Sequence, residues 1–260
     1  ILVQQFSNSC VILNILGAIY SGLGRYEDAI STYKKAIELK PEYAEARINL
    51  GAILREQNKL RAAVTSYKHG LTLRPNLSEA YNNLGVALQE TGRLNEAERI
   101  YKQTLTLRPS YADARSNFAI TLQGLGRLKE AEASYKQAIA LAPSYANARS
   151  NLSFTLQELG RLAEAAISYK QANLLHPNDP NFFRNYSMCI SYLYTAYSAN
   201  LRLKKLWAES NQKIAFEIRL PLAIHNFMIN DLAGSRQLHS CHLADSSNPY
   251  RQKIELKGIK

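Results

Sequence analysis

The sequence predicts an all-α solenoid of stacked helical hairpins, and three observations lead there. Prolines stand at Pro41, Pro75, Pro109, Pro143 and Pro177, each 34 residues after the last. Small residues travel with them, Gly17, Gly51, Gly85, Ala119 and Ser153 in one slot and Ala29, Ala63, Ala97, Ala131 and Ala165 in another. Tyr33, Tyr67, Tyr101, Tyr135 and Tyr169 complete the pattern. Within a unit the apolar residues keep a helical period, first Ala80, Leu84, Ala87 and Leu88, then Ala97, Ile100, Tyr101, Thr104 and Leu105. Such fixed-period self-similarity marks a repeat architecture rather than one globular core.

Residues 1–9, ILVQQFSNS, read as the remnant of an upstream repeat, with Ser7 in the slot where proline later sits. Five units follow at 10–43, 44–77, 78–111, 112–145 and 146–177. In each, two helical periods flank a short turn. In ETGRLNE, Gly92 can end the first helix at positive φ, and Pro109 follows the end of the second. The small residues let paired helices approach closely, while Leu16, Leu50, Leu84, Phe118 and Leu152 fill the space beside the contact. One hairpin cannot cover both of its apolar faces, so neighbours must stack.

Residues 178–217 read as a degenerate sixth repeat or capping helices. FFRNYSMCISYLY is expected as a first helix with Ser187 in the small slot, and SANLRLKKLWAESNQKIAF as a second carrying Ala199 and Leu203. The glycine between them is missing, and the proline does not return. Residues 218–260 form an irregular segment, broken by Pro221, Gly234 and the SSNP turn.

Composition narrows the function classes. No apolar run approaches the ~20 residues that span a bilayer, so no membrane role is expected. Cys10, Cys189 and Cys241 are few, scattered and odd in number, which points to reduced thiols and a cytoplasmic setting. His239, Cys241 and His242 are too few ligands for a zinc site without a second cluster, so no metal or cofactor is expected. No catalytic triad, acid pair or phosphate loop stands out. A net charge of +11 raises nucleic acid as a partner, but the excess is spread along the chain. Arg25, Lys59, Arg93, Arg127 and Arg161 recur in the turns, Lys34, Lys68, Lys102, Lys136 and Lys170 beside the tyrosines, and no stacking platform accompanies them. A solvated repeat surface is the better reading, with no nucleic-acid partner.

The spacing and residue choices over residues 10–177 resemble the tetratricopeptide repeat. That resemblance implies a right-handed superhelix, an α-solenoid with a helical C-terminal cap, whose first helices line a concave surface and second helices a convex one. One face of a first helix then carries Glu79, Asn83, Val86 and Glu90. Its equivalents are Glu45, Asn49, Ala52 and Glu56; Asp113, Asn117, Ile120 and Gly124; Asn147, Asn151, Phe154 and Glu158. Asparagine is the constant, joined by Asn185 and broken in the first unit by Ile15.

An amide offers an acceptor and two donors, so Asn49, Asn83, Asn117, Asn151 and Asn185 could satisfy the main chain of an extended peptide. Val86, Ile120 and Phe154 would supply apolar contact. The alternative is that each asparagine bonds a neighbouring helix and braces the stack.

The row is similar to the peptide-binding superhelix of O-linked N-acetylglucosaminyltransferases. LRLKKLWAESNQKIAFEIRLPLAIHNFM looks like the segment joining repeats to the catalytic half in that family, and His225 falls near one of its active-site histidines. The sugar-nucleotide domains are missing from the sequence, so the chain is not expected to catalyse transfer alone. The lysine and arginine clamp of chaperone-binding repeats looks absent, since the inward slots hold Asn82, Val86 and Asn117. A protein-interaction module is the expected function, with a transferase-like glycosyltransferase fragment as the alternative. A scaffold that self-associates through exposed repeat ends, around Ile1 to Phe6, is a third reading.

Overall fold

The computed structural model describes residues 9–210, with side chains through residue 202. Among the described residues eleven helices follow one another and there is no strand. First helices are α1 (Cys10–Gly22), α3 (Ala44–Glu56), α5 (Ser78–Glu90), α7 (Ala112–Gly124) and α9 (Ala146–Glu158). Second helices are α2 (Tyr26–Leu39), α4 (Leu60–Leu73), α6 (Leu94–Leu107), α8 (Leu128–Leu141) and α10 (Leu162–Leu175). The last helix, α11, is Pro180–Ser210. The chain divides into two compact units at Cys189, and α1–α10 with the start of α11 lie in the first.

In that first unit each first helix packs on its own second helix, and each second helix packs on the next first helix. Successive first helices also touch. Contacts thus pass from hairpin to hairpin, which is how a solenoid buries its core.

The turns repeat one geometry. Gly24, Gly92, Gly126 and Gly160 have φ between 71° and 75°, and Asn58 takes the same place at 56°. Asparagine is the side chain best able to replace glycine there. The next residue's N–H closes the turn on a helix carbonyl, Lys59 on Leu54 at 2.7 Å and Arg93 on Leu88 at 2.9 Å. The prolines open the other turn, closed by Tyr43 N–H on the Lys40 carbonyl at 3.0 Å. Arg47, Arg115 and Arg149 fasten this second turn by donating to the carbonyls of Pro41, Pro109 and Pro143 at 2.9, 3.2 and 3.0 Å.

Inside each hairpin the tyrosine ring lies on the small residue. A Cβ at Gly17 would fall 2.6 Å from the Tyr33 ring, and one at Gly85 2.6 Å from the Tyr101 ring. The glycine is what lets the two backbones close on the ring. A buried phenol also needs a hydrogen-bond partner, and the first helix supplies it. Tyr101, Tyr135 and Tyr169 donate to Oε1 of Gln89, Gln123 and Gln157 at 2.6, 3.3 and 2.9 Å. In the second hairpin Arg55 stands in the glutamine's place, and the fully buried Tyr67 hydroxyl has no partner. Burial pushes that hydroxyl up to about 12.

Ion pairs stitch neighbouring hairpins along the second helices. Arg127 reaches back to Glu98 on α6, and Arg161 to Glu132 on α8, both at 2.7 Å. Each glutamate also holds a lysine one turn on, Lys102 at 2.8 Å and Lys136 at 2.7 Å. Hydrogen bonds from Lys102 and Arg127 hold the Glu98 carboxyl below its ordinary range. At Glu132 burial pushes upward, yet Lys136 and Arg161 outweigh it and the net shift is down.

Residues 180–210 form one helix where two were expected. The missing glycine is the reason: among the described residues no positive φ falls after Gly160, so nothing local turns the chain out of the helix. Ala199, expected at a packing position, is exposed. The start of α11 docks by Phe182 against Ala146 and Ala172. Residues 211–217, the irregular 218–260 segment with His225 and the HSCH stretch, the Leu203 side chain and Ile1 to Phe6 lie outside the described residues. Ser9 is described, and its hydroxyl accepts from the Ile12 N–H at 3.5 Å as the cap of α1.

These contacts make two stability predictions. Arg55→Gln restores the missing phenol acceptor and gives up only long ion pairs, at 3.4 Å to Glu56 and 3.9 Å to Glu90. Urea denaturation should show a gain of about 1 kcal/mol; an unchanged or lower midpoint would contradict a stabilising role for the tyrosine–glutamine bond. Glu98 and Glu132 have folded pKa values below the unfolded value of about 4.3, so their contribution is complete above that pH and is lost as pH falls through the lowered values. The urea midpoint of a Glu98→Gln, Glu132→Gln chain should therefore lie below wild type at pH 7 and converge with it as pH falls through the lowered carboxylate values. Parallel curves at all pH values would refute the linkage.

Candidate functional site

Because successive first helices touch, their equivalent faces form one continuous strip. Asn49, Asn83, Asn117 and Asn151 lie half-buried on it, and Asn185 is half-buried at the equivalent place on α11. Three residues beyond an asparagine stand Val86, half-buried, Ile120, 41 % exposed, and Phe154, 51 % exposed. Ile120 and Phe154 thus place apolar surface in water beside the amides.

The asparagines are not equivalent. Asn49 Nδ2 donates to Asn14 Oδ1 at 3.0 Å, and Asn117 Nδ2 donates to Asn82 Oδ1 at 3.1 Å. Both bonds run to the preceding first helix, 35 residues back. The amides of Asn83, Asn151 and Asn185 make no hydrogen bond among the described residues. Sequence explains the difference, since the slot 35 residues before each asparagine holds Asn14, Ile48, Asn82, Ser116 and Ser150 in turn. Isoleucine offers Asn83 no polar group, and the Ser116 hydroxyl is engaged with Tyr145 instead.

Asn117 belongs to a larger network. Gln89 Nε2 donates to the Asn117 carbonyl and to Thr121 Oγ1, each at 2.9 Å, while its Oε1 takes the Tyr101 hydroxyl. Asn82, counted from sequence among the inward slots, is in fact buried beneath this network, with its amide oxygen taken by Asn117. The signal that could have shown this was the offset of 35, one more than the repeat.

Charge on the strip is also reorganised by pairing. Arg74 meets Glu45 at 2.5 Å and Arg108 meets Glu79 at 2.7 Å, so the first-turn carboxylates of α3 and α5 are tied. The backbone N–H at the helix start and the Ser78 hydroxyl, with Arg108 beside them, hold the Glu79 carboxyl low. In the fourth hairpin Ala142 replaces the arginine, and Asp113 instead faces Tyr145, whose hydroxyl is pushed up by burial and then by the Asp113 charge. The recurring turn cations are likewise committed: Arg93 pairs with Glu96 at 2.6 Å, and Arg127 and Arg161 with Glu130 and Glu164 at 2.6 and 2.5 Å. Among the described residues no cluster of three metal-ligating side chains occurs, and no helix is long and apolar enough to cross a membrane.

The fold and sequence can be set beside known proteins. A TPR repeat model matches residues 17–55 and 51–92, and tetratricopeptide repeat models match 77–144 and 122–184. No curated protein matches the chain. Among solved structures, the chain is similar to YrrB, described as a TPR protein with an unusual peptide-binding site, at 19 % identity and TM-score 0.59 over 70 % of this chain and 94 % of that one. It is similar to TTC0263, a thermophilic TPR protein of Thermus thermophilus, at 26 % identity and TM-score 0.56, covering 70 % and 99 %. MamA matches at 24 % identity and TM-score 0.59, covering 62 % and 94 %. Models of this repeat thus run without a gap from residue 17 to residue 184, well over half of the sequence, and the chain belongs to the tetratricopeptide repeat family.

Proposed function

We propose that the chain is a protein-interaction module that holds an extended protein segment along the strip of first helices. The observation that carries this reading is the recurrence of half-buried amides beside Val86, Ile120 and Phe154, with Ile120 and Phe154 left 41 % and 51 % exposed. An extended chain carries unpaired C=O and N–H groups along its length, and an amide side chain, with two donors and an acceptor, answers both at once. Such a ligand is gripped by its main chain, with side-chain preference set by the apolar positions beside the amides. The similar YrrB is described as having a peptide-binding site, which accords with this use of the architecture.

The test is peptide capture by the full chain and by an Asn83→Ala, Asn117→Ala, Asn151→Ala variant, measured where both remain folded. Random linear peptides should be enriched by the wild type and lost by the variant. Equal capture by both would remove the asparagine row as a ligand site.

A second reading, self-association, has its own observation. On α1 the strip is apolar, with Val11, Ile15 and Ile19 at 52 %, 55 % and 53 % exposure. These three lie at i, i+4 and i+8, one face of the helix. Sedimentation velocity at rising concentration should show a growing fraction of larger species that Ile15→Glu abolishes; a monomer throughout would end this reading. The transferase-like alternative gains no further support, because His225 and the segment around it lie outside the described residues.

A further inference from the structure

We infer that the asparagine row is divided in labour: Asn83 and Asn151 bind the ligand's main chain, while Asn49 and Asn117 lock one hairpin's rotation against the next. The inference rests on the extended-segment reading above and assigns the residues that carry it. Its evidence is the hydrogen-bond pattern and not the mere presence of asparagine. Asn49 and Asn117 have each spent one of two amide protons on Asn14 and Asn82, at 3.0 and 3.1 Å, which fixes the amide planes against the preceding helix. For Asn83 and Asn151 the slot 35 residues back holds Ile48 and Ser116, on the same helices as Asn49 and Asn117, and the two amides stay open although half-buried.

An amide left half-buried without a partner forfeits part of its hydration and gains no protein bond in return. Asn83 and Asn151 both stand in this state, and an entering main chain relieves it. The occupant suited to such groups is an extended polypeptide, because each open amide can accept one N–H and donate to one C=O. From Asn49 to Asn151 the tied and open amides alternate, so Asn83 and Asn151 grip the segment two units apart with the tied Asn117 between them, and the open Asn185 on α11 extends the row. Phe154 stands one helical turn beyond Asn151, and Val86 one turn beyond Asn83, so each open amide has an apolar neighbour on its own helix.

Two double variants of the full chain separate the roles, each measured for thermal midpoint and for affinity. The probe is one synthetic, fluorescein-labelled peptide taken from the pool that the wild type enriches from a phage-displayed library of long random linear peptides. Asn83→Ala with Asn151→Ala should leave the midpoint unchanged and weaken the peptide roughly tenfold or more. Asn49→Ala with Asn117→Ala should lower the midpoint by several degrees. At a temperature where it is fully folded, its affinity should change less than about threefold. Asn83→Asp with Asn151→Asp, which keeps the shape and removes the donors, should repeat the first result and guards against repacking in the alanine pair. The inference is overturned if both alanine pairs weaken the peptide equally, or if the second pair alone does so. A library that yields no peptide overturns the extended-segment reading itself, and this inference with it.

Discussion

The described hairpins depend on a tyrosine ring packed close against a small residue of the first helix. The ring occupies the space a Cβ would need at Gly17 and Gly85, so helix separation within the hairpin is fixed by residue size. Once that distance is set, the glutamine twelve residues before the tyrosine is in reach of its hydroxyl, as at Gln89 and Tyr101. Where Ala119 or Ser153 fills the small slot, Tyr135 and Tyr169 remain buried and still reach Gln123 and Gln157. The hairpin is therefore a rigid unit, and stacking can then be adjusted by contacts at its two edges. Ion pairs such as Arg127 with Glu98 act on the second-helix side, and asparagine pairs such as Asn117 with Asn82 on the first-helix side.

Much of this was legible in the sequence, because the determinants of a hairpin are local. The positions of Gly92 and Pro109 announce where α5 ends and where α6 gives way, and both turns lie there. Asn58 was less visible, since asparagine serves the positive-φ place in one hairpin only. The continuation of α11 through residue 210 was missed for the converse reason: an amphipathic pattern suited to two helices is also compatible with one when no residue forces the turn.

The fate of each asparagine was not legible from periodicity, which makes Asn49 and Asn83 look identical. Their difference lies in a residue on another hairpin, Asn14 against Ile48, at a spacing one greater than the repeat. Such partners depend on stacking register, a tertiary quantity. The same holds for Glu45 and Glu79, whose carboxylates are tied by Arg74 and Arg108 at the ends of the second helices. A repeat protein thus differentiates its hairpins through the residues that break the period, and here those breaks separate asparagines bonded across the stack from asparagines with no hydrogen bond among the described residues.

The most direct measurement of that separation is side-chain amide hydrogen exchange in the free and peptide-bound chain, with the asparagine NH₂ resonances assigned one by one. Slowed exchange at Asn49 and Asn117 in the free protein, fast exchange at Asn83 and Asn151, and slowing of the latter pair when peptide is added is the result this structure predicts. Equal exchange at all four asparagines before peptide, or protection by peptide at Asn49 and Asn117 alone, would contradict it.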